Sequence, residues 1–368
     1  MNKRNDLIEP NWAPYMRRAL VLASLGEGMT SPNPLVGAVV LDRNNQIVGD
    51  GFHSRAGKPH AEVVALKNAG SKAKDGTLIV TLEPCCHFGR TPPCTEAIIK
   101  SGLKKVVVSL EDPDPRVSGA GISRLKDAGI EVQTGILKDQ AEYQNRAFIH
   151  RIKTGRPWGV LKWAMSLDGR IALPNGKSQW ISGRESRENV YKLRSTSDAV
   201  IIGGGTLRAD DPLLTSRGLC DPEPLRVVMT RSCDMPTHAK LWDSDIAKTI
   251  VAFSNEFEKD KLNQLPKQVE RLKIPVSEPL ELLNALAAKG CNSVLWESGP
   301  FLSTQAIKQK CVQELLVVVS PKLLGGINAM APLGDFGFEN MGEIIEMKRF
   351  FVERVGEDMA LKMVIDST

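Results

Sequence analysis

Short apolar strands alternate with helical stretches along almost the whole chain, and that alternation restricts it to α/β folds in which helices cover a sheet. In the first half the pattern predicts a helix over Ala13–Ala23 and strands over Val36–Leu41 and Ile47–Gly51, joined by the turn Asp42-Arg43-Asn44-Asn45. Helix His60–Ala69, strand Thr77–Thr81, helix Cys94–Gly102, strand Lys105–Ser109, helix Gly121–Gly129 and strand Glu131–Thr134 follow. A basic stretch (Arg146, His150, Arg151, Lys153, Arg156) then leads to Pro157. Beyond it strands begin afresh near 158–164, 198–203, 225–230, 248–253, 292–296 and 314–319, with helices between. A chain of 368 residues is too long for one ordinary core. The expected division is residues 1–153 and 154–368, with no repeated unit and no low-complexity segment.

Charge narrows the partners. There are 48 Lys and Arg against 43 Asp and Glu, a net +5 spread along the chain without a dense basic block. That suits anionic small ligands better than nucleic acid. The first residues, Met1 to Asn11, are polar and lack the apolar core of a secretory signal, and no run of about 18 apolar residues marks a membrane span. The expectation is a cytoplasmic protein with no membrane partner. Seven cysteines in such a chain point to metal binding or catalysis rather than to a disulfide framework.

Three of the candidate ligands fall at the ends of predicted elements. His60 opens a helix in Pro59-His60-Ala61-Glu62, Cys85 follows a strand in Glu83-Pro84-Cys85, and Cys94 opens the next helix after Pro92-Pro93. One imidazole and two thiolates suit a zinc ion whose fourth position stays open, and helix N-termini favour thiolate over thiol. Glu62 supplies the remaining part, a carboxylate that is not a ligand and can carry protons. The order matches the zinc deaminase signature H-x-E…P-C-x-x-C, except that eight residues rather than two stand between the cysteines. The insertion brings two rival ligands, Cys86 and His87. With either as a fourth ligand the site would instead be a structural zinc in a binding scaffold.

The insertion is also where the sequence resembles a known family. Thr81-Leu82-Glu83-Pro84-Cys85-Cys86-His87-Phe88-Gly89-Arg90-Thr91-Pro92-Pro93-Cys94 is similar to the long zinc loop of the bifunctional riboflavin-biosynthesis deaminase–reductases. So are Pro32-Asn33-Pro34-Leu35-Val36-Gly37, Gly51-Phe52-His53 and Gly57-Lys58-Pro59-His60-Ala61-Glu62. The resemblance implies a cytidine-deaminase-like α/β sandwich with one zinc per chain on His60, Cys85 and Cys94, Glu62 as proton shuttle, and Asn33 and His53 in the pyrimidine pocket.

In the second half, Gly203-Gly204-Gly205 after a strand invites a dinucleotide reading, but Arg208 stands where the Rossmann fingerprint needs its third glycine. Glu297-Ser298-Gly299-Pro300 between a strand and a helix is a better phosphate site, because small residues admit the anion to free N–H groups at the helix start. Leu161-Lys162-Trp163-Ala164-Met165-Ser166-Leu167-Asp168-Gly169-Arg170, Gln179-Trp180-Ile181-Ser182, Ala209-Asp210-Asp211-Pro212 and Pro321-Lys322-Leu323-Leu324-Gly325-Gly326 resemble the reductase half of the same family. That half has a dihydrofolate-reductase-like α/β fold and uses NADPH. The implied cofactor positions are Ala164, Trp180, Thr206, Asp210 and the turn and helix Gly299, Pro300, Phe301, Leu302, Ser303, Thr304 and Gln305. The implied substrate positions are Ser178, Arg194, Leu214, Arg217 and Glu297, with Lys162 beside Glu297 near the reacting sugar carbon. Arg194 and Arg217 are suited to a ribose 5-phosphate. Arg231, just past a strand, is a further candidate for the 2′-phosphate of NADPH. The family's habit implies a homo-oligomer acting on a small phosphoribosyl pyrimidine. The rival enzyme reading, a nucleic-acid base deaminase, would require a basic groove and no nicotinamide site.

Overall fold

A computed structural model describes residues 11–88, 92–115, 117–254 and 259–365. Met1–Pro10 of the polar N-terminus and Gly89-Arg90-Thr91 of the zinc-loop motif lie outside them. The chain divides into two compact units, 1–153 and 154–368. Among the described residues no helix is long and apolar enough to cross a membrane.

The first unit runs α1 (Ala13–Ser24), β1 (Gly37–Leu41), β2 (Ile47–Phe52), α2 (Ala61–Ala69), β3 (Thr77–Leu82), α3 (Cys94–Lys100), β4 (Lys105–Leu110), α4 (Ala120–Asp127), β5 (Glu131–Thr134), α5 (Lys138–Gln144) and α6 (Arg146–Thr154). Its sheet has the order β2-β1-β3-β4-β5. The β1–β2 hairpin and the β1–β3 pair are antiparallel, and β3, β4 and β5 are parallel. The hairpin turn forms because the Asp42 carboxylate accepts the N–H groups of Asn44 and Gln46 at 2.8 and 2.9 Å. Apolar residues line both faces of the sheet. Met16, Ala19, Leu20 and Ala23 of α1 share one helical face against β1 and β3, while Ala61, Ala65 and Ala69 of α2 pack on the other side. Glycine in β2 brings α2 close. A Cβ at Gly51 would stand 2.7 Å from the Val64 side chain, and one at Gly49 would stand 2.4 Å from the Ala65 carbonyl oxygen. The start of α2, with His60 and Glu62, is thereby fixed against the sheet.

Glu83, at the C-terminal end of β3, is buried and accepts four backbone N–H groups. Oε2 takes Asp112 and Gly119 at 3.1 and 3.0 Å, and Oε1 takes Gly121 and Ile122 at 2.9 and 3.2 Å. One side chain thus fixes the chain leaving β3 against both the loop after β4 and the start of α4.

The second unit runs β6 (Trp158–Ser166), α7 (Arg184–Ser195), β7 (Ala199–Gly203), α8 (Gly204–Asp210), β8 (Leu225–Met229), β9 (Thr249–Phe253), α9 (Lys259–Asn263), β10 (Glu270–Lys273), α10 (Pro279–Ala288), β11 (Ser293–Trp296), α11 (Pro300–Lys308), β12 (Glu314–Ser320), β13 (Met347–Val355) and β14 (Asp358–Ile365). Its nine strands have the order β10-β9-β8-β7-β11-β6-β12-β14-β13. They are parallel from β10 to β12, and the β13–β14 hairpin adds antiparallel to β12. Strands buried on both faces, such as Ala199–Ile202 and Leu295–Trp296, form the centre. The strands β10, β13 and β14 and the helices α5 and α6 are additions to the sequence-derived outline. In β13 the apolar residues are interrupted by Lys348, Arg349, Glu353 and Arg354, so it lacks the continuous run that marks the interior strands.

Replacing Glu83 by Ala strands four buried N–H groups and is expected to destabilise the first unit by about 3 kcal/mol or more. Glu83→Gln, which keeps one acceptor oxygen, should lose less. Urea unfolding of the two variants measures the difference, and equal stability of Glu83→Ala and the parent protein would contradict the clamp.

Candidate active sites

His60 is the residue immediately before α2, in extended conformation with ψ 160°. Cys85 lies two residues past Glu83, and Cys94 is the first residue of α3. Nδ1 of His60 is 3.6 Å from Cys85 Sγ and 3.2 Å from Cys94 Sγ, and all three donor atoms lie within 4.8 Å of one another. Donors sharing a tetrahedral zinc at about 2.3 Å for sulfur and about 2.0–2.1 Å for nitrogen stand about 3.5 Å apart, so the cluster fits that ion. Cys85 Sγ also accepts the Cys94 N–H at 3.4 Å. The thiol of Cys94 and the imidazole of His60, both hydrogen-bonded to Cys85, hold the Cys85 thiol far below its ordinary range, at about 4. The group does not include the rivals Cys86 and His87. Cys86 is half-buried with its thiol pushed up by burial, and His87 is exposed. Three ligands with no fourth among the described residues leave the open position of a catalytic site.

Glu62 sits in the first turn of α2, buried beside these donors. Burial, reinforced by the negative Cys85 sulfur, raises its carboxyl to about 7, so it can take up and return a proton near neutrality. Asn33 and His53 come together at the same place. The His53 and His60 rings meet edge to face with centroids 5.3 Å apart. His53 Nδ1 lies 3.2 Å from the Pro59 carbonyl, which only accepts, so Nδ1 carries the proton. Burial lowers the pKa of His53 and favours the neutral ring, leaving Nε2 to accept the Asn33 amide N–H at 3.0 Å. The segment carrying Asn33 is pinned by Asn145, which bonds both the N–H and the carbonyl of Leu35 at 2.8 and 3.0 Å.

In the second unit a cavity of about 660 Å³ opens at the C-terminal ends of β6, β7, β8 and β11. Lys162, Ala164, Ser178, Thr206, Asp210, Glu297, Gly299, Pro300, Phe301 and Leu302 line it, as does Arg231, whose guanidinium lies 4.4 Å over the Phe301 ring. Gly203, Gly204 and Gly205 line it as well. The triplet fails the Rossmann spacing yet does open a helix onto the cavity. A Cβ at Gly205 would meet nothing within 4 Å, which leaves room for a ligand over the first turn of α8. Ser232, Ser277 and Met330 are lining residues that sequence reasoning did not single out, and Arg208, considered there only against the Rossmann fingerprint, lines the cavity too.

Other expected positions lie off the cavity. Ser303 and Thr304 are buried, and their hydroxyls bond the Ser298 and Pro300 carbonyls at 2.9 and 2.8 Å. Gln305, one turn into α11, is not among the residues that line the cavity. Trp180 is exposed under the Arg187 guanidinium, 4.6 Å from its ring centre. Leu214 is buried behind the loop.

Arg194 is expected at a phosphate but is spent internally. Its Nε and terminal nitrogen bond Glu297 at 2.6 and 2.9 Å, and the other terminal nitrogen bonds the Thr215 carbonyl at 3.0 Å. Burial opposes an ionised Glu297, but Arg194 and Lys162 outweigh it and hold its pKa below the ordinary range. Burial lowers the pKa of Lys162. Arg217, by contrast, is exposed at the tip of a loop that the Glu223 carboxylate shapes by accepting the Ser216 and Gly218 N–H groups at 2.6 and 2.9 Å.

Three of the family motifs of this unit are bonded to one another. The Asp168 carboxylate takes the N–H groups of Leu324 and Gly325 at 3.0 and 2.7 Å, and Lys322 donates to the carbonyls of Trp180 and Ile181 at 3.0 and 2.7 Å.

The family model for the cytidine and deoxycytidylate deaminase zinc-binding region matches residues 11–110, and that for the RibD C-terminal domain matches residues 157–361. The chain is 46% identical to the riboflavin biosynthesis protein RibD of Synechocystis over 94% of both chains, and 42% identical to that of Aquifex aeolicus over 94% of this chain and 96% of the relative. The solved RibD of Acinetobacter baumannii is 38% identical and superposes with a TM-score of 0.87, covering 96% of this chain and 99% of that one. A diaminohydroxyphosphoribosylaminopyrimidine deaminase/5-amino-6-(5-phosphoribosylamino)uracil reductase from Thermotoga maritima gives 33% and 0.84, covering 96% and 98%. The fold and sites are therefore those of a zinc deaminase joined to a reductase. The chain belongs to the RibD family.

Arg194→Met leaves Glu297 without its partner and should cost about 3 kcal/mol, because the surviving charge is desolvated. The loss should shrink as pH falls through the carboxylate range, where Glu297 takes up a proton and no longer needs the lost guanidinium. Denaturation of variant and parent between neutral and acidic pH measures it, and a pH-independent loss would contradict the assignment.

Proposed function

We propose that the chain performs two consecutive steps of riboflavin biosynthesis. The first is hydrolytic deamination of 2,5-diamino-6-(5-phosphoribosylamino)pyrimidin-4-one. The second is NADPH-dependent reduction of the ribosyl group, which gives 5-amino-6-(5-phosphoribitylamino)uracil. The observation that carries this reading is the cluster His60, Cys85 and Cys94 with a buried, non-ligating Glu62, in a chain similar to RibD proteins along almost its entire length. The reading includes a cytoplasmic location and a homo-oligomer.

His60, Cys85 and Cys94 would hold the zinc, whose Lewis acidity makes water a competent nucleophile at neutral pH. Glu62 takes the proton released as the water oxygen adds to the amino-bearing ring carbon, then returns it as the carbon–nitrogen bond breaks and ammonia leaves. Asn33, its amide oriented by neutral His53, is placed to bond the pyrimidine edge. In the second unit the glycine-lined starts of α8 and α11 would hold the NADPH phosphates, and NADPH supplies the reducing equivalent. Ala164, Thr206 and Asp210 border that position, and Arg231 would meet the 2′-phosphate. Lys162 and Glu297, which line the cavity with Ser178, would flank the ribose carbon to be reduced, and Arg217 would bind the 5-phosphate.

Mass spectrometry of the diaminopyrimidinone substrate tests the sequence of events. Without nicotinamide the product should gain about 1 Da, as amino becomes oxo. With NADPH it should gain about 2 Da more. Glu62→Gln should lower deamination by about 10²-fold or more while leaving zinc content and NADPH oxidation on the deaminated substrate unchanged. Full deamination in that variant, or no mass change in the parent protein, would refute the reading.

A further inference from the structure

Two arginines of the second unit, Arg194 and Arg217, approach the ring of Tyr191 in α7, with guanidinium carbons 5.8 and 5.6 Å from its centre. Arg194 is committed to Glu297 and to the Thr215 carbonyl. The Arg217 guanidinium makes no hydrogen bond or ion pair among the described residues, so its fork is open to a ligand. The backbone that carries it is nevertheless tightly held. Leu214 and Arg217 are left-handed, with φ 54° and 62°, and Gly218 follows at 83°. Side chains other than glycine keep such angles only where their surroundings impose them.

Glu223 imposes them at Arg217. Its Oε2 accepts the Ser216 N–H at 2.6 Å and its Oε1 the Gly218 N–H at 2.9 Å, so one carboxylate grips the residues on either side of Arg217. Ser216 is buried, and its hydroxyl accepts the Cys220 N–H at 3.3 Å. The Thr215 carbonyl, through Arg194, joins the base of the loop to Glu297 on the cavity wall. We propose that Glu223 is a positioning residue of the reductase site. It holds the Arg217 backbone so that the guanidinium meets the substrate's 5-phosphate already in place, and it thereby sets the preference for a phosphorylated over an unphosphorylated ribosyl substrate. A fork held in advance gives up less freedom on binding. The inference rests on the assignment of that phosphate to Arg217. The sign of the effect identifies the role. A carboxylate acting only as a nearby charge repels phosphate, and neutralising it tightens binding. A carboxylate acting as a clamp has the opposite effect, because glutamine keeps one acceptor oxygen and turns an NH₂ group toward the second N–H.

Steady-state NADPH oxidation by the full-length, zinc-loaded protein tests this, with the deaminated phosphoribosyl substrate and with its unphosphorylated riboside. Glu223→Gln should raise KM for the phosphorylated substrate about tenfold. It should leave kcat, KM for NADPH, deaminase activity and kcat/KM for the riboside unchanged. Arg217→Met should raise the same KM about 30-fold. In the Arg217→Met background Glu223→Gln should add nothing, since the group it positions is gone. A KM that falls or stays constant in Glu223→Gln while Arg217→Met raises it would overturn the positioning role and leave the phosphate assignment standing. Equal losses on both substrates would reduce Glu223 to a structural residue and overturn the inference as well. Arg217→Met without a phosphate-specific effect would overturn the assignment and the inference together.

Discussion

Parallel strands cannot be joined by tight turns, and this constraint arranges both units. Each crossover leaves the C-terminal end of one strand and enters a helix, so those ends collect helix starts and their free N–H groups. In the first unit the exit from β3 delivers Cys85 and then Cys94 at the head of α3. In the second, the exits from β7 and β11 deliver the glycine-lined starts of α8 and α11 to one cavity. Hydrolysis and reduction are unrelated chemistries, yet both exploit the same consequence of sheet topology.

What the constraint does not supply is local exactness of position, and buried carboxylates provide that. Glu83 accepts N–H groups from two separate segments, so the strand end carrying Cys85 is held to the neighbouring crossover. Asp168 acts similarly on the loop after β12, and Asp198 holds the N–H groups of Asn292 and Ser293 at 2.7 and 2.8 Å where β11 begins. These side chains touch no reacting atom. They fix the backbone from which the reacting side chains project.

The interior strands and the zinc motif were legible in the sequence because each depends on a local signal, an apolar run or residues beside a helix start. Contacts formed across long sequence separations were not. Arg194 carries the chemistry of a phosphate ligand, but a partner 103 residues away occupies its fork. Ser303 and Thr304 follow the turn at the start of α11, and their hydroxyls bond back onto the Ser298 and Pro300 carbonyls. The triplet Gly203–Gly205 was judged against a Rossmann template, although a glycine-opened helix needs no such spacing to approach a ligand. The strand β13 is not legible because its apolar block Phe350-Phe351-Val352 is set between the charged pairs Lys348-Arg349 and Glu353-Arg354, with neither a long apolar run nor a regular alternation.

The group formed by Lys162, Arg194 and Glu297 holds two cationic side chains and one anion, and Lys162 and Glu297 of it line the cavity. Arg194 claims the carboxylate with both of its bonds, and burial, joined by the nearby Arg194 charge, reduces the proton affinity of Lys162 although Glu297 opposes the effect. A ligand that brings negative charge or an oxygen lone pair beside Lys162 completes the balance and raises that affinity. Ligand binding and proton uptake are thereby linked reciprocally, and the cavity holds its lysine proton more firmly when filled than when empty.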